Sequence, residues 1–253
     1  GFEISCIGAS DGAIDLELSG GLAPYTYLWN GGSTEEDING LNAGTYDVSI
    51  TDADLCETTG SVTLNEPTAL SSSFELSDYN GADISCEGGS DGTATITPAG
   101  GTGDYTIEWG AGETSFLVIS LAEGTYYYTI TDISDAACTY NDSVTLVDPV
   151  VLTINSIPYL MYEGTHGVSC NGASDGEITV NPAGGTGTLE YSTDNINWQS
   201  DSIFTGLSAG INYNFHVRDL NNCLASSGAI LTEPNELVVQ GFTTTDCFTT
   251  IEI

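Results

Sequence analysis

Hydrophobic residues in this chain recur at every second position rather than at helical spacing. In "GTYDVSITD" (residues 44–52), Tyr46, Val48 and Ile50 alternate with Asp47, Ser49 and Thr51, the pattern of a strand with one buried face. "AIDLELS" (13–19) alternates likewise, with Ile14, Leu16 and Leu18 on one face. Gly-Gly, Asp-Gly and Ala-Gly pairs interrupt such runs at short intervals and supply the turns between strands. No segment carries an amphipathic helical stripe. No stretch is both long and apolar enough to span a membrane as a helix, so no membrane insertion of this segment is expected.

The pattern is written three times. "CIGASDG" (6–12) returns as "CEGGSDG" (86–92) and "CNGASDG" (170–176). "GGLAPYTYLW" (20–29) matches "GGTGDYTIEW" (100–109) and, more loosely, "GGTGTLEYSTDNINW" (184–198). "LNAGTYDVSITDADLC" (41–56) matches "LAEGTYYYTITDISDAAC" (121–138) and "LSAGINYNFHVRDLNNC" (207–223), and each unit closes on "SVTLNEP" (61–67), "SVTLVDP" (143–149) or "AILTEP" (229–234). The expected organisation is repeat 1 at residues 1–69, repeat 2 at 70–151, repeat 3 at 152–236, and the start of a fourth at 237–253. Units of this size are long enough for a small core. About seven short strands and one tryptophan per unit predict an all-β fold of tandem immunoglobulin-like β-sandwich modules arranged as a rod.

Seven cysteines fall one early and one late in each unit, with Cys247 as the early cysteine of the fourth. Six cysteines allow 15 connectivities. The economical expectation is pairing inside each unit: Cys6–Cys56, Cys86–Cys138 and Cys170–Cys223. Each bridge would close a loop worth roughly 4 kcal/mol in the chain-entropy treatment. Zinc is the competing use of these thiols, but no CxxC or CxxH spacing occurs. Disulfides imply an oxidising, extracellular location at the cell surface.

Charge narrows the partners. One Lys or Arg (Arg218) stands against 36 Asp and Glu, a net charge of −35. Nucleic acid is excluded as a partner because nothing is present to neutralise phosphates, and bare anionic lipid is repelled. At 40% hydrophobic residues, with 13 Tyr and 3 Trp, the chain has the composition of a folded protein rather than a disordered acidic one. No signal peptide is visible, and any address or anchor is expected outside this segment.

The order C-x-G-x-S-D-G, GG-x-x-x-Y-T-x-x-W, L-x-x-G-T-Y-x-x-x-I-T-D, a late Cys and a closing T-L-x-(E/D)-P resembles the SprB-type repeat. That family occurs in very long surface proteins of Bacteroidota, among them a mobile adhesin of gliding cells exported by type IX secretion. The third copy departs from the pattern. It lacks the Pro-Tyr or Asp-Tyr of the GG segment, inserts residues before Trp198 and replaces Gly-Thr-Tyr by Gly-Ile-Asn-Tyr. The resemblance implies a secreted tandem array that touches mainly its own neighbouring repeats.

Two readings of the recurrent acidic residues follow. In the first, Ser10-Asp11-Gly12 forms an Asx-type turn, with Gly12 in a conformation other residues resist. In the second, Asp11, Asp91 and Asp175 join Asp52, Asp132 and Asp219 in binding Ca²⁺, which takes six to eight oxygen ligands. A linker variant places Ca²⁺ at Glu66, Asp148 and Glu233, each just before a proline. Trp29, Trp109 and Trp198 are expected as core residues rather than sugar-stacking platforms. His216 and Arg218, which replace Ser49 and Thr51 of the first unit, are expected on an outward strand face. "DSV" (142–144) and "DSI" (201–203) offer Ser143 and Ser202 for O-glycosylation, and "NDS" offers Asn141 for N-glycosylation. Two histidines, no lysine and cysteines committed to bridges leave no constellation for catalysis. The expected function is a repeat segment of a secreted surface adhesin or fibre that meets external surfaces or polysaccharides. A multi-chain filament or sheath, and a passive stalk for a distal domain, are the alternatives.

Overall fold

A computed structural model of the chain describes residues 3–134 and 138–242. Among these residues all regular secondary structure is β-strand, and every strand pairing is antiparallel. Among the described residues the chain is all-β, and each of the first three repeats is built from separate antiparallel sheets around its own buried hydrophobic residues. Cys247 and most of the fourth repeat lie outside the described residues.

In repeat 1, β1 (Gly12–Ile14) pairs with β3 (Ile38–Leu41), and β2 (Thr26–Trp29), β4 (Gly44–Thr51) and β5 (Glu57–Leu64) form a sheet in the order β2-β4-β5. The alternation does what the sequence predicts. Val48 and Ile50 of β4 are buried with Trp29 and Ile38, and Ile14, Leu16, Leu18 and Tyr46 pack onto that cluster. Only Ala13 and Ile14 of the predicted 13–19 strand lie in a regular ladder, yet Leu16 and Leu18 keep the inward face.

Repeat 2 has two three-stranded sheets. The first contains β6 (Thr68–Leu76), β7 (Gly92–Gly101) and β9 (Leu117–Leu121) in the order β6-β7-β9; the second contains β8 (Tyr105–Trp109), β10 (Gly124–Asp132) and β11 (Thr139–Leu146) in the order β11-β10-β8. Trp109 and Tyr128 face each other across the β8–β10 ladder, ring centroids 5.0 Å apart. The Tyr128 hydroxyl reaches Ser72 of the opposite sheet at 2.8 Å, so its polar end is satisfied inside the sandwich.

Repeat 3 contains β12 (Thr153–Ser156), β13 (Gly176–Thr179), β14 (Asn181–Ala183), β15 (Glu190–Ser192), β16 (Ile203–Leu207), β17 (Asn212–Arg218) and β18 (Leu224–Ile230). They pair as β12-β14, β13-β16 and β15-β17-β18. Here the core aromatics are Tyr191 and Phe215, the latter fully buried with its ring centre 5.1 Å from that of Phe204 in a tilted arrangement. The expectation of a core tryptophan is correct for Trp29 and Trp109, at 3% and 4% exposure, and wrong for Trp198. The inserted residues carry Trp198 past the core position. It is half-buried, with the Arg218 guanidinium 4.3 Å from its ring centre.

The chain forms two compact units. One comprises residues up to Asp78 together with Gly88–Asp148; the other comprises Tyr79–Glu87 together with Pro149 onward. The short leader before the second heptapeptide thus belongs with repeat 3.

The heptapeptide glycines divide the work differently from the expectation. Gly8, Gly88 and Gly172 hold positive φ of 73°, 71° and 75°, so the left-handed position is the third of the motif. Gly12 has no such φ. Its Cα instead lies so close to Ile4, Leu64 and the Leu41 carbonyl that an added Cβ would sit 2.5, 2.8 and 3.0 Å from them. Gly176 is similarly packed against Leu231 and the Leu207 carbonyl. Gly12→Ala is therefore expected to destabilise the first unit by about 1–3 kcal/mol through overpacking. Gly31→Ala, where a Cβ meets nothing within 4 Å, should be close to neutral. Urea unfolding of the two variants checks the contrast.

Candidate functional site

Recurrent residues gather at the two ends of each sandwich. At one end lies the leader and heptapeptide loop with the early cysteine. The Ser5 and Ser169 backbone N–H groups donate to Asp11 and Asp175 at 3.3 and 3.1 Å. Hydrogen bonds from Ser5 and Ser169 hold these two carboxyls below the ordinary carboxylate range. Gly8, Gly88 and Gly172 donate their N–H groups to Glu66, Asp148 and Glu233 at 2.6, 2.8 and 2.8 Å. The acidic residue before each exit proline thus ties the end of its repeat to the heptapeptide loop. Asp91 holds the corresponding position in the second heptapeptide.

At the other end a carboxylate organises the late-cysteine turn. Asp52 accepts from the N–H groups of Leu22, Asp54 and Cys56 at 3.1, 2.9 and 2.9 Å. Asp219 accepts from the Thr186, Asn221 and Cys223 N–H groups at 2.8, 3.0 and 2.9 Å. Asp132, fully buried, accepts from the N–H and hydroxyl of both Thr102 and Ser134. The second glycine of each Gly-Gly pair rests on this carboxylate with positive φ: Gly21, Gly101 and Gly185. The motif tyrosines are hooks. Tyr25 and Tyr105 donate their hydroxyls to the carbonyls of Gly20 and Gly100 at 2.7 and 2.5 Å. Tyr46 and Tyr126 donate to the Asn42 and Ala122 carbonyls at 3.0 and 3.1 Å.

Asp11, Asp52, Asp132, Asp175, Asp219, Glu66, Asp148 and Glu233 thus each accept from at least one backbone N–H group, while the second oxygen of Asp148 is buried without a hydrogen-bond partner. Among the described residues no group of three or more His, Cys, Asp or Glu is placed to hold a metal. A cation at Asp52, Asp132 or Asp219 would compete with these donors for the carboxylate lone pairs. The expected result of a melting experiment is the same midpoint in millimolar calcium and in chelator. A saturable rise with calcium would instead assign these carboxylates to a metal, because a ligand that binds only the folded state raises the midpoint.

The cysteine pairing differs from the sequence expectation. Cys6 is bonded to Cys138 and Cys86 to Cys223, with Cα–Cα distances of 5.7 and 5.5 Å, while Cys56 and Cys170 are free and exposed. Neither Cys6–Cys56, Cys86–Cys138 nor Cys170–Cys223 forms. The reason is the length of a strand. The leader of repeat 1 is fixed beside Asn65, whose carbonyl accepts the Glu3 and Ile4 N–H groups. This places Cys6 at the end where Gly44 meets Leu64, whereas Cys56 lies where Thr51 meets Glu57. The intervening strand is roughly 23 Å long, against the 4.4–6.8 Å or so that a disulfide allows between Cα atoms. Cys170 and Cys223 are separated in the same way, since Gly176 pairs with Leu207 and Arg218 with Leu224 at opposite ends. A bridge can form only where the early end of one repeat meets the late end of the next.

Each junction has further contacts. Around the first bridge, Ser5, Cys6 and Ile7 line a cleft with Leu70, Gly101 and Cys138. At the second, the Asn221 side chain donates to the carbonyls of Tyr79 and Ser85, both at 3.2 Å, and pairs with Asn80 at 2.9 Å. Asn221 was missed in the sequence. Its signal was its place, two residues after the recurrent Asp219 and two before the cysteine.

Three segments, residues 3–34, 79–114 and 166–197, match the family model of the SprB repeat. The recurrence read in the sequence is thus matched by that model at all three heptapeptides. Each match spans a heptapeptide and the strands that follow it. No curated protein matches the chain. Among solved structures the chain is similar to the eight N-terminal Ig domains of the Down syndrome cell adhesion molecule, with 12% identity, 89% of this chain and 34% of that one covered, and a TM-score of 0.30. It is also similar to the S-layer protein SbsC, with 15% identity, coverages of 94% and 40%, and a TM-score of 0.30. A third is cadherin domains 3–6 of protocadherin gamma B2, with 12% identity, coverages of 81% and 64%, and a TM-score of 0.27. The chain spans 34% and 40% of the first two of these structures.

Proposed function

We propose that this chain is a load-bearing, non-catalytic segment of a long secreted cell-surface adhesin or fibre. The observation that carries this reading is the pair of disulfides joining one SprB repeat to the next. A bridge across a junction makes a tandem array continuous through covalent bonds other than its linkers, a construction suited to an array that is pulled. Disulfides persist outside the cytoplasm, which supports an extracellular location. A charge of −35 keeps such a surface soluble and unaggregated. Its partners in this reading are external surfaces or polysaccharides, with gliding as one process it would serve.

The reading is tested by the mass per unit length of native fibres shed from the cell, measured by scanning transmission electron microscopy. One repeat per repeat length supports a single-chain adhesin. A severalfold higher value supports a multi-chain filament or sheath. A passive stalk would have the single-chain value, yet purified repeats would not bind a surface to which whole cells attach. Intact-mass measurement of the same material tests glycans at Ser143 and Asn141 on β11 and at Ser202 just before β16.

A further inference from the structure

Among the described residues two cysteines are left without disulfide partners, and each sits in a structure that is paired elsewhere in the same chain. The turn leading to Cys56 reproduces the turn leading to Cys223. Leu55 and Asn222 both hold positive φ, 66° and 67°. Asp52 and Asp219 both donate their N–H to the following cysteine carbonyl, at 3.0 and 3.1 Å, and both accept the cysteine N–H at 2.9 Å. At Cys223 this arrangement holds an early-cysteine loop, the one carrying Cys86. At Cys56 the thiol is exposed beside a cleft of about 190 Å³ lined by Gly20, Gly21, Tyr25, Asp52 and Glu57.

The loop around Cys170 reproduces the loop around Cys6. The Ala173 and Ala9 N–H groups donate to the Cys170 and Cys6 carbonyls, both at 3.1 Å. Gly172 and Gly8 share their positive φ and their carboxylate acceptors, Glu233 and Glu66. Cys6 in this loop is bonded to a late cysteine, whereas Cys170 is exposed and free. Both free thiols stand in preformed turns, so little ordering remains to be done on docking.

We infer that the Cys56 end of the chain is a socket for the early-cysteine loop of a further SprB repeat, and that the Cys170 loop is the matching plug for a late-cysteine end. The occupant is fixed by the two junctions already filled: a leader and heptapeptide with its cysteine, not an unrelated protein. The inference does not depend on adhesion. It concerns how SprB repeats join, whatever the array then binds.

Two copies of this chain can make the junction in trans through thiol–disulfide exchange. The Cys56 thiolate attacks oxidised glutathione, forming a mixed disulfide and releasing one glutathione thiolate. The Cys170 thiolate of a second copy then attacks the Cys56 sulfur, and the second glutathione leaves as its thiolate. The protons lost by the two cysteines end on the two glutathiones, which carry the electrons away.

The experiment uses full-length chains carrying Cys247→Ser, so that Cys56 and Cys170 are the unpaired thiols. One partner also carries Cys170→Ser and the other Cys56→Ser; both substituted positions are exposed and unbonded, so folding should survive. Equimolar mixing in a glutathione redox buffer is expected to give a heterodimer at least about tenfold in excess of either homodimer, since a docked junction raises the local thiol concentration. Peptide mapping should join Cys56 to Cys170. Homodimers as abundant as the heterodimer, or glutathione-capped monomers as the only products, would overturn the inference.

Discussion

Stretching the chain between its ends is expected to give a strongly non-additive response to loss of the two disulfides. Because the bridges interleave, the shortest covalent path from Cys6 to Cys223 runs across the first bridge, backwards from Cys138 to Cys86, and across the second, about 52 residues in place of about 217. Cys138→Ser leaves a path of about 80 residues through Cys86, and Cys223→Ser one of about 85 through Cys138. Each single variant should therefore lengthen the fully unfolded chain by only about 100 Å, at roughly 3.5 Å per residue. Removing both bridges should lengthen it by about 580 Å. Pairing inside each repeat predicts a different result: about 180 Å for Cys138→Ser alone, and near-additive changes for the pair. Force spectroscopy on the oxidised chain and these variants separates the two connectivities. The biological consequence is direct. An array whose bridges interleave loses little of its restraint when one bridge is reduced.

The sandwich itself was legible because alternation with a period of two is a local property. Ile14, Val48 and Ile50 face inward because one-residue slips would expose the whole set. The connectivity was not legible, because cysteine order along a repeat does not say at which end of a strand each thiol lies. Registers such as Gly44 against Leu64 and Thr51 against Glu57 carry that information, and they appear only once the sheet is built. The acidic positions were visible as recurrences but ambiguous in chemistry. An aspartate that recurs beside Gly-Gly and a cysteine fits a cation or a set of backbone donors equally well in one dimension. The N–H groups that face Asp52, Asp132 and Asp219 appear only in the folded chain. Trp198 shows the limit of matching by residue type. The third repeat keeps a tryptophan but moves it, and Phe215 fills the space instead. Arg218 then covers the displaced ring and pairs with Glu190 at 2.6 Å.

Asp132→Ala is expected to cost the second repeat about 3–5 kcal/mol, one of the largest effects available to a single substitution here. The carboxylate is fully buried and satisfies the N–H groups of Thr102 and Ser134 at 2.7 and 3.0 Å, and both hydroxyls at 2.6 Å. Truncation leaves the Thr102 and Ser134 N–H groups without this acceptor, beside the Asp132 N–H that donates to the Cys138 carbonyl, so the loss should include weaker formation of the Cys6–Cys138 bridge. The charge on Asp132 gives the prediction a pH signature. Burial pushes its carboxyl upward, but the hydrogen bonds from Ser134 and Thr102 more than reverse this and hold it at about 2, below the unperturbed 3.8. A group depressed in the folded state binds its proton more readily when unfolded. Its stabilisation is therefore complete above about pH 5 and is lost progressively as the pH falls past the unfolded value of 3.8 and through about 2. Asp132→Asn should keep the shape of the turn while lacking this dependence, so the stability gap between wild type and Asp132→Asn should narrow steadily from pH 5 to pH 2. Chemical unfolding across that range, followed by fluorescence of Trp109, which packs against Tyr128 of the same strand as Asp132, measures it. A gap that stayed constant with pH would mean that the aspartate acts there through its shape alone.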